Sequence, residues 1–307
     1  MVKDERLSKA VGHAIRDSRG DRVFAFAVYA LVTLILIVVS YPLIYVVSAS
    51  ISNPLDIITG RLILFPRDLS IRAYQAVFHS KDLLTGYKNT IIYSVAGTAI
   101  NIVLTTSGAY ALSRKDMWGR TAVTFMISFT MFFGGGMIPT YIVIKNLGLL
   151  NSFWVMVLPG AISATNLLIM RNYFANSVPQ EIIEAAYMDG CSNVGTLLRV
   201  VLPTSMSIVA VMVIFYLVGH WNSYFSALLY LNTRSKYTLQ VFLREILIKN
   251  DYGDMGTGGE ASSVEMTLLY ESLKFAVIVV STLPMMLFYP FMQRYFVKGV
   301  MMGSIKG

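Results

Sequence analysis

Long apolar stretches alternate with short charged ones along the chain. Six stretches of spanning length contain no Asp, Glu, Lys or Arg, at residues 23–50, 89–113, 121–144, 152–170, 204–231 and 275–293. A hydrocarbon core about 30 Å thick is crossed by about 20 apolar residues of helix, so each stretch is expected to span a membrane. The pattern predicts an all-α, polytopic membrane protein with six transmembrane helices, one membrane domain over 23–296 and short tails at 1–22 and 297–307. The first stretch comes after a basic tail and precedes small residues, as a secretory signal would. Its charge-free run exceeds the roughly 7–15 residues of a signal's apolar region, so an uncleaved first helix is expected.

Composition supports this reading. Of 307 residues, 55% are hydrophobic and 14% charged, and the mean hydropathy of +0.61 lies outside the range of soluble domains. The net charge of +8 does not indicate nucleic acid, because the basic residues sit at the ends of apolar stretches and not on one polar module. They set topology instead. Lys3, Arg6, Lys9, Arg16, Arg19 and Arg22, then Arg114, Lys115 and Arg120, then Arg294, Lys298 and Lys306 mark short cytoplasmic flanks. Both termini are then cytoplasmic, and 171–203 is the longest cytoplasmic loop. Loops 51–88 and 232–271 fall outside; they carry Arg61, Arg67, Arg72, Lys81 and Lys88, but are long enough for the rule to discriminate less well. Cys191 is the single cysteine, which excludes an internal disulfide and a cysteine metal cluster.

The loop at 174–203 carries the most specific pattern. Ser177-Val178-Pro179-Gln180 reads as a helix start, with Ser177 as N-cap, Gln180 completing a capping box and Pro179 in the first turn. The helix is expected to run to about Met188, with Glu181 and Glu184 near its positive end and Gly190 closing it in a left-handed conformation. Ile182, Ala185, Ala186 and Met188 form a small apolar face that needs a surface to dock on. A second helix is expected from Ser192 or Asn193 through Leu197, Leu198, Val200 and Val201, stopped by Leu202-Pro203.

Glu184-Ala185-Ala186, then Gly190, then Val200 and Leu202-Pro203 resembles the EAA loop of the inner-membrane permeases of bacterial ABC importers, written EAA, three residues, G, nine residues, I, one residue, LP. The one departure is Val200 for Ile. The resemblance implies that Glu181, Ile182, Glu184, Ala185, Ala186, Asp189, Gly190, Leu202 and Pro203 dock on an ATP-hydrolysing subunit. It extends over most of the chain: WNSYF at 221–225 and the ending Lys306-Gly307 are similar to MalG-type carbohydrate permeases. Within that type, GGGMIPTY at 134–141, NLGLLNSFWVMVLPG at 146–160 and YTLQVFLREILI at 237–248 resemble the LplC/YtcP group. The resemblance implies a MalG-like fold in the bacterial cell membrane and carriage of an oligosaccharide, in some members uronate-containing. The partners implied are a second homologous permease, two ATPase subunits and an extracellular solute-binding protein. No cofactor is expected on this chain; ATP and Mg belong to the ATPase partners, and the chain itself is expected not to be an enzyme.

Other features leave alternatives open. FFGGGMIPTY at 132–141 reads either as close helix packing or as a broken segment lining a path. His220, Trp221, Asn222 and Tyr224 fit an interfacial belt or a polar lining for sugar; Asn101 and Asn166 fit that lining or interhelical hydrogen bonds. The Gly-rich 251–263 reads as a surface turn. An ion-coupled secondary transporter is the rival mechanism, but such proteins carry charges within the membrane and these six stretches have none. A permease for a non-sugar solute is the other alternative. The chain contains no GxxxxGK[ST] phosphate loop, so ATP chemistry is expected on a partner.

Overall fold

The computed structural model describes residues 18–66, 68–248 and 260–304, with side chains over 260–267 and 294–304 excepted. Residues 1–17, Arg67, most of the Gly-rich segment and the terminal Lys306-Gly307 lie outside the described residues. The described chain is helical: α1 Arg19–Ser50, α2 Pro54–Ile58, α3 Arg72–His79, α4 Lys81–Ser113, α5 Arg120–Phe132, α6 Met137–Asn146, α7 Trp154–Val157, α8 Ala164–Ser177 and α9 Gln180–Met188. Then come α10 Asn193–Thr204, α11 Met206–Trp221, α12 Phe225–Tyr230, α13 Leu239–Ile248 and α14 Glu260–Ser304. The one β contact among the described residues is an antiparallel bridge between Ser52 and Leu69.

Three helices, α1, α4 and the 268–293 part of α14, are long and apolar enough to cross a membrane. Two bent pairs, α5 with α6 at 115° and α10 with α11 at 88°, bring the number to five if each pair counts as one span. Among the described residues the apolar spans thus number three to five, where six continuous ones were expected. Stretch 152–170 is not one helix: it breaks between Val157 and Ala164, where Pro159 offers no N–H and Gly160 takes a left-handed φ of 81°. Hydropathy cannot register such a break, because every residue in it is apolar or small. Stretch 121–144 breaks at 133–136, where Gly136 has φ 85°; that segment is a bend and not a straight packing helix. The segment 232–271, expected as an outer loop, is more than a loop, since it holds α13 and the start of α14.

The helix α4 is the axis of the fold and packs against α8, α11 and α13. The reason lies in its composition: Thr90, Ser94, Thr98, Asn101, Thr105 and Thr106 are buried along it, and such small polar residues let membrane helices approach closely. Three apolar clusters form around it. Tyr110, Met170, Phe174, Ile183, Leu197 and Met212 join its C-terminal half to α8–α11. Leu83, Trp221, Phe242, Leu273 and Val277 hold its N-terminal half to α11, α13 and α14. Tyr93, Val155, Val157, Tyr230 and Val241 make the third. By contrast α1 leaves its apolar side chains exposed along nearly its whole length, as a surface facing lipid or a neighbouring subunit must.

The helix α14 contains Pro284, whose ring cannot donate to the carbonyl four residues back. The Val280 carbonyl is taken instead by the Tyr87 hydroxyl, and the next carbonyl, of Ser281, accepts the indole Nε1–H of Trp221 at 3.1 Å. Trp221 is 4% exposed and packs its ring against Tyr87, away from both cavities. It braces the proline-bearing turn of α14. Trp221→Phe should remove this buried hydrogen bond, at about 0.5–1.5 kcal/mol, and lower the melting temperature of the purified protein by ~1–4 °C. An unchanged melting curve would show that the turn holds without it.

Candidate functional site

The segment 177–204 folds into helix, elbow and helix, as the sequence predicts, with differences at both ends. Ser177 is the last residue of α8 and caps nothing; α9 starts at Gln180 behind Pro179, without a capping side chain. The cause is Val178, which precedes a proline and is held extended at φ −97°, ψ 112°, so the N-cap falls two residues too late, at Pro179, for a Ser177 cap. At the other end the helix stops at Thr204, one residue past Leu202-Pro203, and the chain bends 88° into α11. Leu197–Val201 winds into a π turn in which the Leu202 N–H reaches Leu197 O, and this wider turn carries Pro203 inside α10 up to Thr204.

The elbow itself closes as expected at Gly190, φ 80°. The Cys191 N–H donates to Ala186 O and the Gly190 N–H to Tyr187 O, both at 2.9 Å, the paired bonds of a Schellman end. Ser192 then caps α10 by accepting from the Gly195 N–H at 3.2 Å.

The two faces of α9 differ in role. Ile183 is buried in the Tyr110–Met212 cluster and Ala186 is buried beside it on the helix, whereas Glu181, Ile182, Glu184, Ala185, Asp189 and Gly190 are exposed, together with Met188 at 89%. Ala186 therefore anchors the helix to its own chain and is not on the outward face. Leu202 is half-buried beside the same cluster, and Pro203 is exposed.

A clamp with no signature in the sequence fixes α9 in place. Tyr187 donates its hydroxyl to Asn193 Oδ1 at 2.6 Å and accepts from the Arg114 guanidinium, which also stacks 4.9 Å from its ring centroid. Arg114 reaches the Tyr110 hydroxyl at 3.3 Å and makes a two-pronged contact with Asp116 at 2.8 and 2.5 Å. The hydrogen bond from Arg114 holds the Asp116 carboxyl below its ordinary range, and the same contact keeps the guanidinium charged. In sequence Arg114 reads as a topology charge; its second task is to tie the end of α4 to α9 and α10.

A second polar constellation lies farther along α4. Asn101, fully buried, donates its amide to the carbonyls of Gly160 and Ala161 at 3.1 and 2.8 Å. Its Oδ1 therefore accepts, and His220 Nε2–H donates to it at 2.7 Å. The Tyr216 hydroxyl receives the Ser163 N–H at 3.3 Å and shares a 2.7 Å bond with Thr105 Oγ1. Side chains from α4 and α11 thus satisfy the backbone of the α7–α8 break. Gly97 makes room, since a Cβ there would fall 2.4 Å from His220 Nε2.

Beside this network opens a cavity of about 290 Å³ whose wall includes Ser163, Asn166, His220, Ser223, Ser226 and Tyr230. Of the sequence candidates for a solute path, His220 and Asn166 meet here. Trp221 does not, and Asn222 is exposed, its amide donating to Val218 O at 3.0 Å at the end of α11. Tyr224 lies under the Arg244 guanidinium at 4.6 Å, away from the cavity wall. A larger cavity of about 440 Å³ at the other end of α4 has a rim in which Arg234 pairs with Asp82 and Glu245.

Comparison with known proteins agrees with this architecture. The profile of the family described as "Binding-protein-dependent transport system inner membrane component" matches residues 14–302. The polygalacturonan/rhamnogalacturonan transport system permease protein YtcP of Bacillus subtilis (strain 168) is 38% identical over 292 residues, covering 94% of this chain and 99% of that protein. Protein LplC of the same organism is 36% identical over 295 residues, covering 96% and 99%. The crystal structure of a bacterial ABC transporter involved in the import of the acidic polysaccharide alginate includes a chain that superposes with a TM-score of 0.83 at 35% identity, over 91% of this chain and 99% of that one. With its helical fold and its loop of matching spacing, the chain belongs to the family of inner membrane components of binding-protein-dependent transport systems.

Proposed function

We propose that this chain is a permease subunit of an ATP-driven ABC importer for a carbohydrate, an oligosaccharide of the uronate-containing kind. The names of YtcP and of the alginate importer, both linked to acidic polysaccharides, support the cargo. The subunit works beside a second homologous permease, two ATPase subunits that bind ATP and Mg, and an extracellular solute-binding protein. Its termini and the α9 elbow face the cytoplasm, in keeping with the Lys and Arg flanks.

The observation that carries the reading is the division of α9 into two faces. One is locked to the chain by Ile183, Ala186 and Tyr187, and the other offers Glu181, Ile182, Glu184, Ala185 and Asp189 outward. A nine-residue helix is marginal alone, so holding it rigid while leaving one face bare suits a handle gripped by a partner. Closure of the ATPase subunits on this handle shifts the population between inward- and outward-facing states. An ion-coupled mechanism finds no support in the apolar stretches, which hold no Asp, Glu, Lys or Arg.

Two outcomes test this. Gly190→Pro removes a donated N–H and a positive φ at once, and should abolish solute-stimulated ATP hydrolysis by the assembled complex while membrane insertion persists; normal stimulation would contradict the handle. Arg114→Ala should loosen the clamp by about 1.5–3 kcal/mol, so that amide exchange across 181–190 quickens about tenfold or more. Unchanged exchange there would mean that α9 is held by its apolar contacts alone.

A further inference from the structure

The 290 Å³ cavity beside the α7–α8 break has a wall rich in polar heads with nothing to bond. The Ser223 hydroxyl is buried and has no hydrogen-bond partner among the described residues. The Asn166 side-chain amide and the Ser226 and Tyr230 hydroxyls, all on the same wall, also form no hydrogen bond among the described residues. Of these only the Ser223 hydroxyl is buried, and buried polar groups are nearly always paired; the other three heads stand open on the wall, and together they point to something that enters the cavity. The wall contains no Asp, Glu, Lys or Arg, and His220 has one ring nitrogen committed to Asn101. A carboxylate would gain no cation there, and burying one unpaired is expensive. Hydroxyl and amide heads beside the rings of Phe215, Tyr216 and Tyr230 instead suit a sugar ring, whose hydroxyls both donate and accept. The volume lies at the small end of ligand pockets, room for one ring and not for a chain of them.

We propose that this cavity is a solute subsite that grips a single ring of the transported carbohydrate through neutral hydrogen bonds from Ser223, Asn166 and Ser226, leaving any carboxylate of that ring outside. The inference rests on the importer reading above. The subsite is rigid because its floor, the break at 158–163, is pinned by Asn101 and Tyr216.

The test uses the assembled importer with its binding protein, in vesicles hydrolysing ATP, with Cys191, the single native cysteine, changed to Ser and Ser226→Cys introduced. Trigalacturonate, trimannuronate and neutral galactotriose serve as probes, and a small thiol reagent reads access to position 226. A probe that is taken up should slow labelling about fivefold at saturation. Labelling that proceeds equally fast with and without a transported probe overturns the subsite and leaves the importer reading intact. Failure to label during active uptake overturns it too, since the cavity would then lie off the path. Uptake of none of the three by the wild-type complex overturns the carbohydrate reading itself. Asn166→Cys repeats the measurement should Ser226→Cys fail to assemble. As a second readout, Ser223→Ala deletes a hydroxyl without a partner among the described residues, so the melting temperature should hold while uptake falls about tenfold; unchanged uptake removes Ser223 from the grip.

Discussion

A carbonyl freed inside a bilayer has no water to turn to, and that constraint organises this protein. Each break in its helices exposes backbone groups that lipid cannot satisfy. The Gly160 and Ala161 carbonyls turn to the Asn101 amide, and the Val280 carbonyl released by Pro284 turns to Tyr87, with Trp221 bonding the carbonyl beside it. Thr204 Oγ1 serves the Val200 and Val201 carbonyls at the π turn, and Thr140 Oγ1 serves Gly136 after the glycine bend. Most of the long-range partners come from α4 and α11, which is why those two helices pack most intimately. Among the polar residues along α4, Asn101 makes a broken helix tolerable in lipid and Thr90 receives the Leu239 N–H at the start of α13, while the small Ser94 and Thr98 let neighbouring helices approach closely.

Because α4 is one uninterrupted helix, it also joins the two regions to which the proposed function assigns coupling and solute binding. Asn101 stands at the cavity and Arg114 just past the helix end at the α9 clamp, about 20 Å apart at 1.5 Å per residue. A push on α9 enters α4 through Arg114 and Tyr110, and enters α11 through the π turn and the bend at Ser205. Both helices then meet again at Asn101 and His220. The π turn is well placed in this respect, since a wider turn is a poorer strut and an easier hinge than α-helix. A contiguous path of hydrogen-bonded side chains and stiff helices thus exists between handle and cavity, with a soft point on one of its two arms.

The range of the forces involved decides how much of this is legible in the sequence. The elbow at Gly190, the end of α9 at Met188 and the cap at Ser192 are legible because each rests on bonds between residues a few positions apart. The apolar stretches disclose the membrane class for the same reason. Ser177 loses its expected capping role because a proline two residues on displaces the break, and the stop at Leu202-Pro203 comes one residue late because a π turn carries the proline to the last turn. The roles of Trp221 and Arg114 depend on partners 60 and 73 positions away, beyond any local pattern. His220 and Asn166 stand out by residue type alone, and only the folded chain sets them around one cavity and leaves Asn222 and Tyr224 elsewhere.

Everything proposed for transport depends on the bare face of α9 being a cytoplasmic handle held by an ATPase subunit. Met188, 89% exposed on that helix, is the position to ask. With Cys191 changed to Ser and Met188→Cys carrying a short photoreactive maleimide in native membranes, illumination should yield one adduct containing the ATPase subunit, and a membrane-impermeant maleimide applied to intact cells should not reach the thiol. Labelling from outside the cell, or an adduct lacking the ATPase subunit, would contradict it.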